Sequence, residues 1–283
     1  AYEIHMGDWS SDVCSSDLGY SYSAHAARLA GVSVGAVTRL AAEDRKSTDL
    51  LRSVGVEVIV HESRHSTLMR LEYPTDNVDE RMLTVAAVAD AFVPADVASI
   101  EAGAMLISPS IRGEVPLAVV EAVRAKAGRV GLDVQGFVRI RTGNGQLAYE
   151  AWPEIRQVLA LVDVLKSDAV EGEFLTGERD LHAIARKLAS YGPKEIVLTH
   201  KDGLVVLANG TTHAQPFLPT QLRGRSGRGD TCVGSYLSRR LSAEPADATV
   251  WAAALTSLKL EEEGPIRRSR ADVEAAIRNR YPR

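Results

Sequence analysis

Cysteine is scarce in this chain of 283 residues, because only Cys14 and Cys232 occur and they give no disulfide framework. We therefore expect a reducing compartment, the cytoplasm. The chain also lacks an apolar run long enough to span a membrane, and its N-terminus lacks the apolar core of a signal peptide. A membrane partner is not expected.

An excess of basic charge is also missing. Lysine and arginine number 33 against 37 aspartates and glutamates, which gives a net charge of −4. No basic patch indicates a nucleic-acid partner. The hydrophobic share of 45% is enough for one large core. Without an internal repeat or a linker, residues 19–283 are expected to form one domain.

The first eighteen residues differ from the rest of the chain. The segment 8–18 has no periodicity and matches the translation of a common sequencing-adapter oligonucleotide. We interpret residues 1–18 as wholly or largely an assembly artefact that replaces the natural N-terminus, and we expect them to pack poorly. The alternative is a disordered natural tail.

Short apolar strands alternate with amphipathic helices along most of the chain. This alternation predicts an α/β fold with a mostly parallel sheet covered on both faces. Strands are predicted at 32–40, 56–60, 104–108, 129–133, 164–166 and 195–199, and helices at 24–29, 44–54, 116–127, 154–162, 180–191, 230–241, 246–262 and 270–280. Residues 19–23 are predicted to be a polar turn.

Two segments predict antiparallel hairpins. Residues 67–85 alternate on both sides of a turn signal at 74–77, which indicates a small β flap over a site. Residues 203–216 can form a second hairpin around Asn209-Gly210.

One glycine-rich stretch, residues 224–232, has the features of an anion-binding site. Gly224, Gly227 and Gly229 permit positive φ, and a helix is predicted directly after them. Such a turn presents free N–H groups and the positive end of the helix dipole. Asp230 beside the anion fits a carboxylate that takes a proton from a hydroxyl while phosphate is transferred. The alternative for Asp230 is a plain N-cap.

Two familiar site patterns do not fit this chain. The segment 61–65 matches H-E-x-x-H, which binds zinc only when both histidines lie on one helical face. It follows a β-branched strand without helical periodicity, so we interpret it as a surface loop; a zinc hydrolase using His61 and His65 remains a rival. Neither G-x-G-x-x-G nor G-x-x-x-x-G-K-[ST] occurs, which argues against a Rossmann dinucleotide site and a Walker P-loop.

Four segments match motifs that occur together in one enzyme family. Residues 227–231 are similar to G-A-G-D-[ST], with Arg228 in place of alanine. Residues 166–171 and 174–177 resemble K-P-N-x-x-E and a downstream L-T-G. Residues 198–203 resemble a strand and turn that meet a nucleotide, and 19–44 resemble an N-terminal substrate-binding region. From residue 19 onward the chain thus resembles the ribokinase (PfkB) family of sugar and nucleoside kinases.

This resemblance implies a ribokinase-like three-layer sandwich with a small β lid near 67–85. It implies transfer of the γ-phosphoryl group of ATP, with Mg²⁺, to a hydroxyl of a small sugar or polyol. Asp230 would be the general base, and the amides around Gly227, Arg228 and Gly229 would hold the phosphoryl oxygens. Lids in this family sometimes form dimer contacts, so a homodimer through the lid stays open.

Further site residues follow from the same resemblance. They are Lys166, Asp168, Glu171, Thr199, Gly203 and Ala253 for ATP, Asp168 and Glu171 for the Mg²⁺ shell, and Gly19 and Asp133 for the acceptor. The residues alone leave alternatives open: a solvated helix start at 168–171, a strand cap at Lys166, a solvent-facing Arg228 and ordinary helix packing at Ala253.

The chain departs from the family pattern at several positions. Gly224 and Arg225 stand where an aspartate and a threonine are usual, and Asp168 replaces an asparagine. The first strand, which normally carries a substrate-binding aspartate, is absent or overwritten. Residues 132–139 are similar to inositol-kinase-like members, which favours a polyol or sugar acceptor. Because the substrate-binding strand is missing, a second alternative is a catalytically weak ligand-binding member of the same fold.

Overall fold

The structure, a computed structural model, describes residues 13–16, 18–72 and 82–282. Most of the segment predicted to be non-native and the tip of the predicted flap, 73–81, lie outside these residues. The strands are β1 (Val13–Ser16), β2 (Gly35–Leu40), β3 (Glu57–Glu62), β4 (Leu68–Glu72), β5 (Met82–Ala87), β6 (Met105–Ile107), β7 (Val130–Asp133), β8 (Arg139–Arg141), β9 (Leu147–Tyr149), β10 (Val164–Asp168), β11 (Glu195–His200), β12 (Gly203–Ala208) and β13 (Thr211–Pro216).

Helices of very different length connect these strands. They are α1 (Leu18–Arg28), α2 (Asp49–Ser53), α3 (Leu117–Lys126), α4 (Gln135–Val138), α5 (Ile155–Leu159), α6 (Ala169–Thr176), α7 (Leu181–Ala189), α8 (Arg228–Arg239), α9 (Pro245–Leu260) and α10 (Arg270–Arg280). Short 3₁₀ helices cover Ala42–Thr48 and Pro94–Val97. Along the described part of the chain, no helix combines the length and apolarity needed to cross a membrane.

The central sheet has six strands in the order β13-β12-β11-β10-β7-β6. The pairs β6–β7, β7–β10 and β10–β11 are parallel, and β12 and β13 continue the sheet in antiparallel fashion. Strands β7 and β12 are buried at every residue. Burial on both faces explains why β12 is a continuous run without polar side chains rather than an alternating one.

Helices cover both faces of this sheet and create two separate cores. Val164 and Val197 pack with α8 and α9 on one face. Their chain neighbours Leu165 and Ile196 pack with α3, α5 and α7 on the other. Successive strand residues point to opposite faces, so each strand supplies both cores. The predicted three-layer α/β arrangement is confirmed.

Smaller sheets lie outside the central one. Strands β2 and β3 pair in parallel, and β1-β4-β5 form an antiparallel sheet. Strands β8 and β9 form a hairpin that is joined to β5 by a bond of 2.7 Å from the Val85 amide to the Gly145 carbonyl. The pair β4–β5 overlaps the predicted flap, 67–85, and extends to Ala87.

Strand register brings several polar residues to one edge of the central sheet. Lys166 of β10 is paired with Asp133, the last residue of β7. Asp168, the last residue of β10, is paired with Thr199 of β11. The carboxyl ends of β7, β10 and β11 therefore meet where the loops and helix starts gather.

Three local predictions are wrong. Residues 19–23 are not a turn but the start of α1, because that helix packs against α8: a Cβ on Gly234 would lie 2.5 Å from the Ser23 carbonyl oxygen. The predicted helix 44–54 is divided into a 3₁₀ helix and α2. His61 and Glu62 are the last residues of β3 rather than part of a loop.

The strand position of His61 bears on the zinc-hydrolase rival. Adjacent residues of a strand point to opposite faces, so the helical geometry that H-E-x-x-H needs is absent. The His61 ring nitrogen Nε2 lies 3.2 Å from the Asp96 carbonyl oxygen, which gives this side chain a structural partner.

Candidate active site

The glycine-rich turn leads directly into α8. Gly227 is the N-cap residue, with φ 72° and ψ 12°, and its backbone is pressed against the Tyr22 ring of α1. A Cβ at this position would collide with that ring. Glycine is thus required both by the left-handed backbone and by the close approach of α1.

Helix α8 begins at Arg228, so Asp230 lies in its first turn and is not the N-cap. Amides in a first helical turn have no acceptor within the helix, and the helix dipole places partial positive charge there. The Asp230 carboxylate accepts a hydrogen bond of 3.3 Å from Gln135 Nε2. Its backbone carbonyl accepts one of 3.0 Å from the Ser23 hydroxyl. The carboxylate is therefore held at the same helix end that can bind an anion.

Lys166 places a buried cation behind this turn. A Cβ on Gly229 would lie only 2.8 Å from Lys166 Nζ. The ammonium lies 3.0 Å from Asp133 Oδ2, 3.2 Å from Asp133 Oδ1 and 3.8 Å from Glu171 Oε2. Lys166 thus links the turn, the end of β7 and the start of α6.

Asp168 and Glu171 form a reciprocal cap at the start of α6. The Glu171 amide donates to Asp168 Oδ1 at 2.7 Å, and the Asp168 amide donates to Glu171 Oε2 at 2.9 Å. Arg139 Nη2 donates to Glu171 Oε1 at 2.9 Å. Glu171 is fully buried, so the solvated helix start considered from the sequence does not describe it.

Burial and neighbouring charges act on these groups in opposite directions. Burial raises the pKa of Asp133 to about 7, although the Lys166 ammonium opposes the rise. For Lys166, burial disfavours the charge, but Asp133, Glu171 and Asp230 outweigh it and raise the pKa. For Glu171, burial is outweighed by Lys166 and Arg139, which lower the pKa. Two cations thus lie among these carboxylates, and the lysine stays an ammonium.

The remaining predicted residues lie at varied distances from this centre. Thr199 is buried beside Asp168 in the sheet, and Gly203 pairs with His200 at the β11–β12 turn. Ala253 is fully buried in α9, within the core. Gly19 lies in α1. The pKa of His200, the last residue of β11, is lowered by burial of the imidazole and further by the charge of Arg228. Arg228, the first residue of α8, therefore lies near the end of β11.

The structure adds site residues that the sequence reasoning did not select. Gln135 and Arg139 follow β7 at a spacing of four and bond to each other at 3.0 Å. Tyr22 lies against Gly227, and Lys259 donates to the Gly224 carbonyl at 3.1 Å. A signal for Lys259 was present, since it is a lysine inside the apolar run 251–260.

The arrangement can bind an anion and accept a proton at adjacent points. The anion would lie on the amides of the α8 turn, near the Lys166 ammonium. A hydroxyl beside that anion would face the Asp230 carboxylate. Among the described residues, no group of three or more His, Cys, Asp or Glu side chains is arranged to hold a metal ion.

Comparisons with known proteins identify the family and the fold. The profile of the pfkB family carbohydrate kinases matches residues 23–271. A solved structure of a pyrophosphate-dependent kinase in the ribokinase family, complexed with a pyrophosphate analog and myo-inositol, is 34% identical and has a TM-score of 0.82. The match covers 91% of this chain and 90% of that chain.

A sulfate complex of a pyrophosphate-dependent kinase in the ribokinase family is 35% identical over 90% of both chains, with a TM-score of 0.83. Arabidopsis thaliana ribokinase with ribose and ATP is 18% identical over 92% of this chain and 86% of its own, with a TM-score of 0.68, and so supports the fold alone. No curated protein sequence matches the chain.

Proposed function

The chain belongs to the pfkB family of carbohydrate kinases, and we propose that it transfers a terminal phosphoryl group to a hydroxyl of a small sugar or polyol. One observation carries the proposal: the Asp230 carboxylate lies in the first turn of α8, directly after the Gly227–Gly229 backbone, and the Lys166 ammonium lies against Gly229. Proton acceptor and anion site are adjacent, as in-line transfer requires.

In the proposed reaction, Asp230 takes the proton of the acceptor hydroxyl while the hydroxyl oxygen forms a bond to phosphorus. The bond between phosphorus and the leaving oxygen of the donor breaks at the same time. The α8 amides and the Lys166 ammonium stabilise the charge on the transferring oxygens. General-base assistance of this kind is worth roughly 10²–10⁴ in rate. Arg228 would add a further cation at the phosphates.

Magnesium would arrive with the donor, held mainly by phosphates and water. Both Glu171 carboxylate oxygens already accept hydrogen bonds, from Arg139 and from the Asp168 amide. The carboxyl group of Asp168 at the sheet edge suits a hard cation, and Glu171 would fix its orientation through the reciprocal cap. The ion would neutralise donor charge.

The acceptor pocket is proposed to adjoin Asp230, Asp133 and Gly19. Asp133 is fully buried and forms an ion pair with Lys166. We therefore propose that Asp133 borders the acceptor pocket and holds the Lys166 ammonium in position. The similarity to a kinase solved with myo-inositol supports a cyclic polyol as the first acceptor to test.

Two donors are compatible with this site. ATP is the donor expected from the sequence, with Thr199, Gly203 and Ala253 as its nucleotide border. Pyrophosphate is the second candidate, supported by two observations. Arginines 223, 225 and 228 concentrate positive charge around the turn, which suits a donor recognised through phosphates alone. In addition, Ala253, which is expected to border the nucleotide, is fully buried and so offers no exposed surface to an adenine ring.

A donor-by-acceptor screen tests the proposal. Purified protein with Mg²⁺ is given ATP or pyrophosphate and a panel of inositols, sugars and nucleosides, and phosphate esters are followed by ³¹P NMR. We expect one donor to yield an ester with a polyol or sugar. Ligand binding without an ester from any pair would favour the catalytically weak binding protein instead.

A further inference from the structure

Lys259, near the C-terminus of α9, is a lysine with no exposed surface. Lysine is almost never fully buried without a pairing carboxylate, because removing an ammonium from water is costly. None of the carboxylates in the described residues is within ion-pairing distance of its Nζ. The fold thus buries a cation without the carboxylate partner that ordinarily offsets its desolvation.

The ammonium contacts the donor-binding turn from behind. Lys259 Nζ donates to the Gly224 carbonyl at 3.1 Å and lies 5.3 Å from the centroid of the Tyr22 ring. A Cβ on Gly224 would lie 3.3 Å from this Nζ. Tyr22 in turn is pressed against Gly227. One charged group therefore touches the start of the turn directly and its end through an aromatic ring.

The surroundings of Lys259 leave its charge sensitive to pH. Burial lowers the pKa of Lys259 to about 8, and the carboxylates of Glu262, Asp230 and Glu263 oppose the shift. The other ionisable group against it is Tyr22, whose pKa is raised by burial and by Asp230. Tyr22 therefore stays neutral while Lys259 titrates.

We propose that Lys259 is a positioning residue of the kinase site, whose ammonium fixes the 224–227 turn and adds positive potential behind the amides that receive the donor phosphates. The inference rests on the proposed function, since it assigns the turn to the donor. The role is electrostatic as well as structural: the charge lowers stability and favours donor binding. A neutral replacement should therefore weaken donor binding without lowering stability.

Lys259→Met tests this separation, because methionine fills similar space without charge. Isothermal titration with pyrophosphate and, separately, a non-hydrolysable ATP analogue, each with Mg²⁺, measures donor affinity in the absence of turnover. We expect donor Kd to rise about tenfold, because one buried positive charge behind the phosphate-binding amides is lost. The free energy of unfolding at pH 7 should not fall. Lys187→Met, which removes an exposed lysine of α7, should change neither quantity.

A second measurement uses the wild-type chain alone. Its donor affinity should weaken as pH rises through about 8, because the ammonium becomes neutral. Lys259→Met should lack this loss around pH 8 and keep only the change below it that Asp133, with a pKa of about 7, causes in both proteins. If Lys259→Met does not fold, the wild-type profile decides, and constant donor affinity between pH 7 and 9.5 overturns the proposal.

The outcomes also separate this inference from the proposed function. If wild type binds a donor and folded Lys259→Met binds it equally well, the positioning role is wrong and the kinase proposal stands. If Lys259→Met loses stability and donor affinity together, Lys259 is a structural residue only. If wild type binds neither donor, both proposals are wrong.

Discussion

Gln135 connects two charged side chains through one amide. Its Oε1 accepts from Arg139 Nη1 at 3.0 Å, and its Nε2 donates to Asp230 Oδ1 at 3.3 Å. Because an arginine can only donate, Arg139 fixes which end of the amide faces Asp230. Arg139 is itself held by the fully buried Glu171. A row of hydrogen bonds thus orients the proposed base.

Gln135→Met should lower kcat about tenfold, the effect of losing a hydrogen bond to a charged group worth roughly 1.5 kcal/mol. The KM of the acceptor should change little, since the amide orients the base rather than the substrate. Steady-state kinetics at saturating donor measure both constants. Gln157→Met, at an exposed position of α5, is the matched control. An unchanged kcat in Gln135→Met would show that this amide does not position Asp230.

Residues of the site differ in how far the sequence predicts them. Asp230, Gly227 and Gly229 lie in one short motif, so local spacing was enough to select them. Gln135 bonds to a residue 95 positions away, and Lys259 to one 35 positions away. Helical and strand periodicity reports only near neighbours. Contacts made through the order of the strands need the fold itself.

At the scale of elements, the start of α6 has two possible roles that one substitution separates. Asp168 caps the helix, and asparagine caps about as well as aspartate, so Asp168→Asn should leave the free energy of unfolding within about 0.5 kcal/mol of wild type. If Asp168 also serves the Mg²⁺ shell, half-maximal activity should need several times more Mg²⁺, because one negative charge is lost. Urea denaturation and a Mg²⁺ titration measure the two effects.

Asp168→Ala is the control for these two measurements. It removes the helix cap and should lower the free energy of unfolding by about 1 kcal/mol. A Mg²⁺ requirement that is the same in wild type and Asp168→Asn would leave Asp168 with the capping role alone.

The elements themselves were predicted better than their ends. The helix after the glycine turn was expected, but α8 starts at Arg228, before the residue chosen from the sequence. Residues 19–23 contain glycine and serines that favour turns, yet packing of α1 against Gly234 of α8 keeps them helical. Tertiary contact outweighs such weak local preferences.

At the scale of the whole molecule, alternation along the chain predicted three layers, but not which sheet each strand joins. In the described ranges, β2 and β3 pair only with each other, outside the central sheet. Residues Val13–Ser16 pair with β4 rather than with the central strands. The adapter origin of residues 1–18 stays a prediction, tested by sequencing the source DNA across this junction.

Hydrogen exchange should separate the central sheet from the flap. We expect the slowest amides in β10 and β11, which lie between two buried layers, and faster exchange in β4 and β5. Adding myo-inositol with pyrophosphate or a non-hydrolysable ATP analogue should slow exchange in β4 and β5 and leave β10 unchanged, if the flap is a lid. Hydrogen-exchange rates in β4 and β5 that do not change with either ligand mixture would contradict that role.

A comparison of wild type with Asp230→Asn, which keeps the shape of the side chain and removes its basicity, tests whether Asp230 is the general base. With the donor and acceptor found in the screen, we expect kcat to fall by about 10²–10⁴ while donor affinity stays within a few-fold. Single-turnover ³¹P measurements and calorimetric titration read the two quantities. Unchanged turnover in a folded Asp230→Asn would show that Asp230 is not the base.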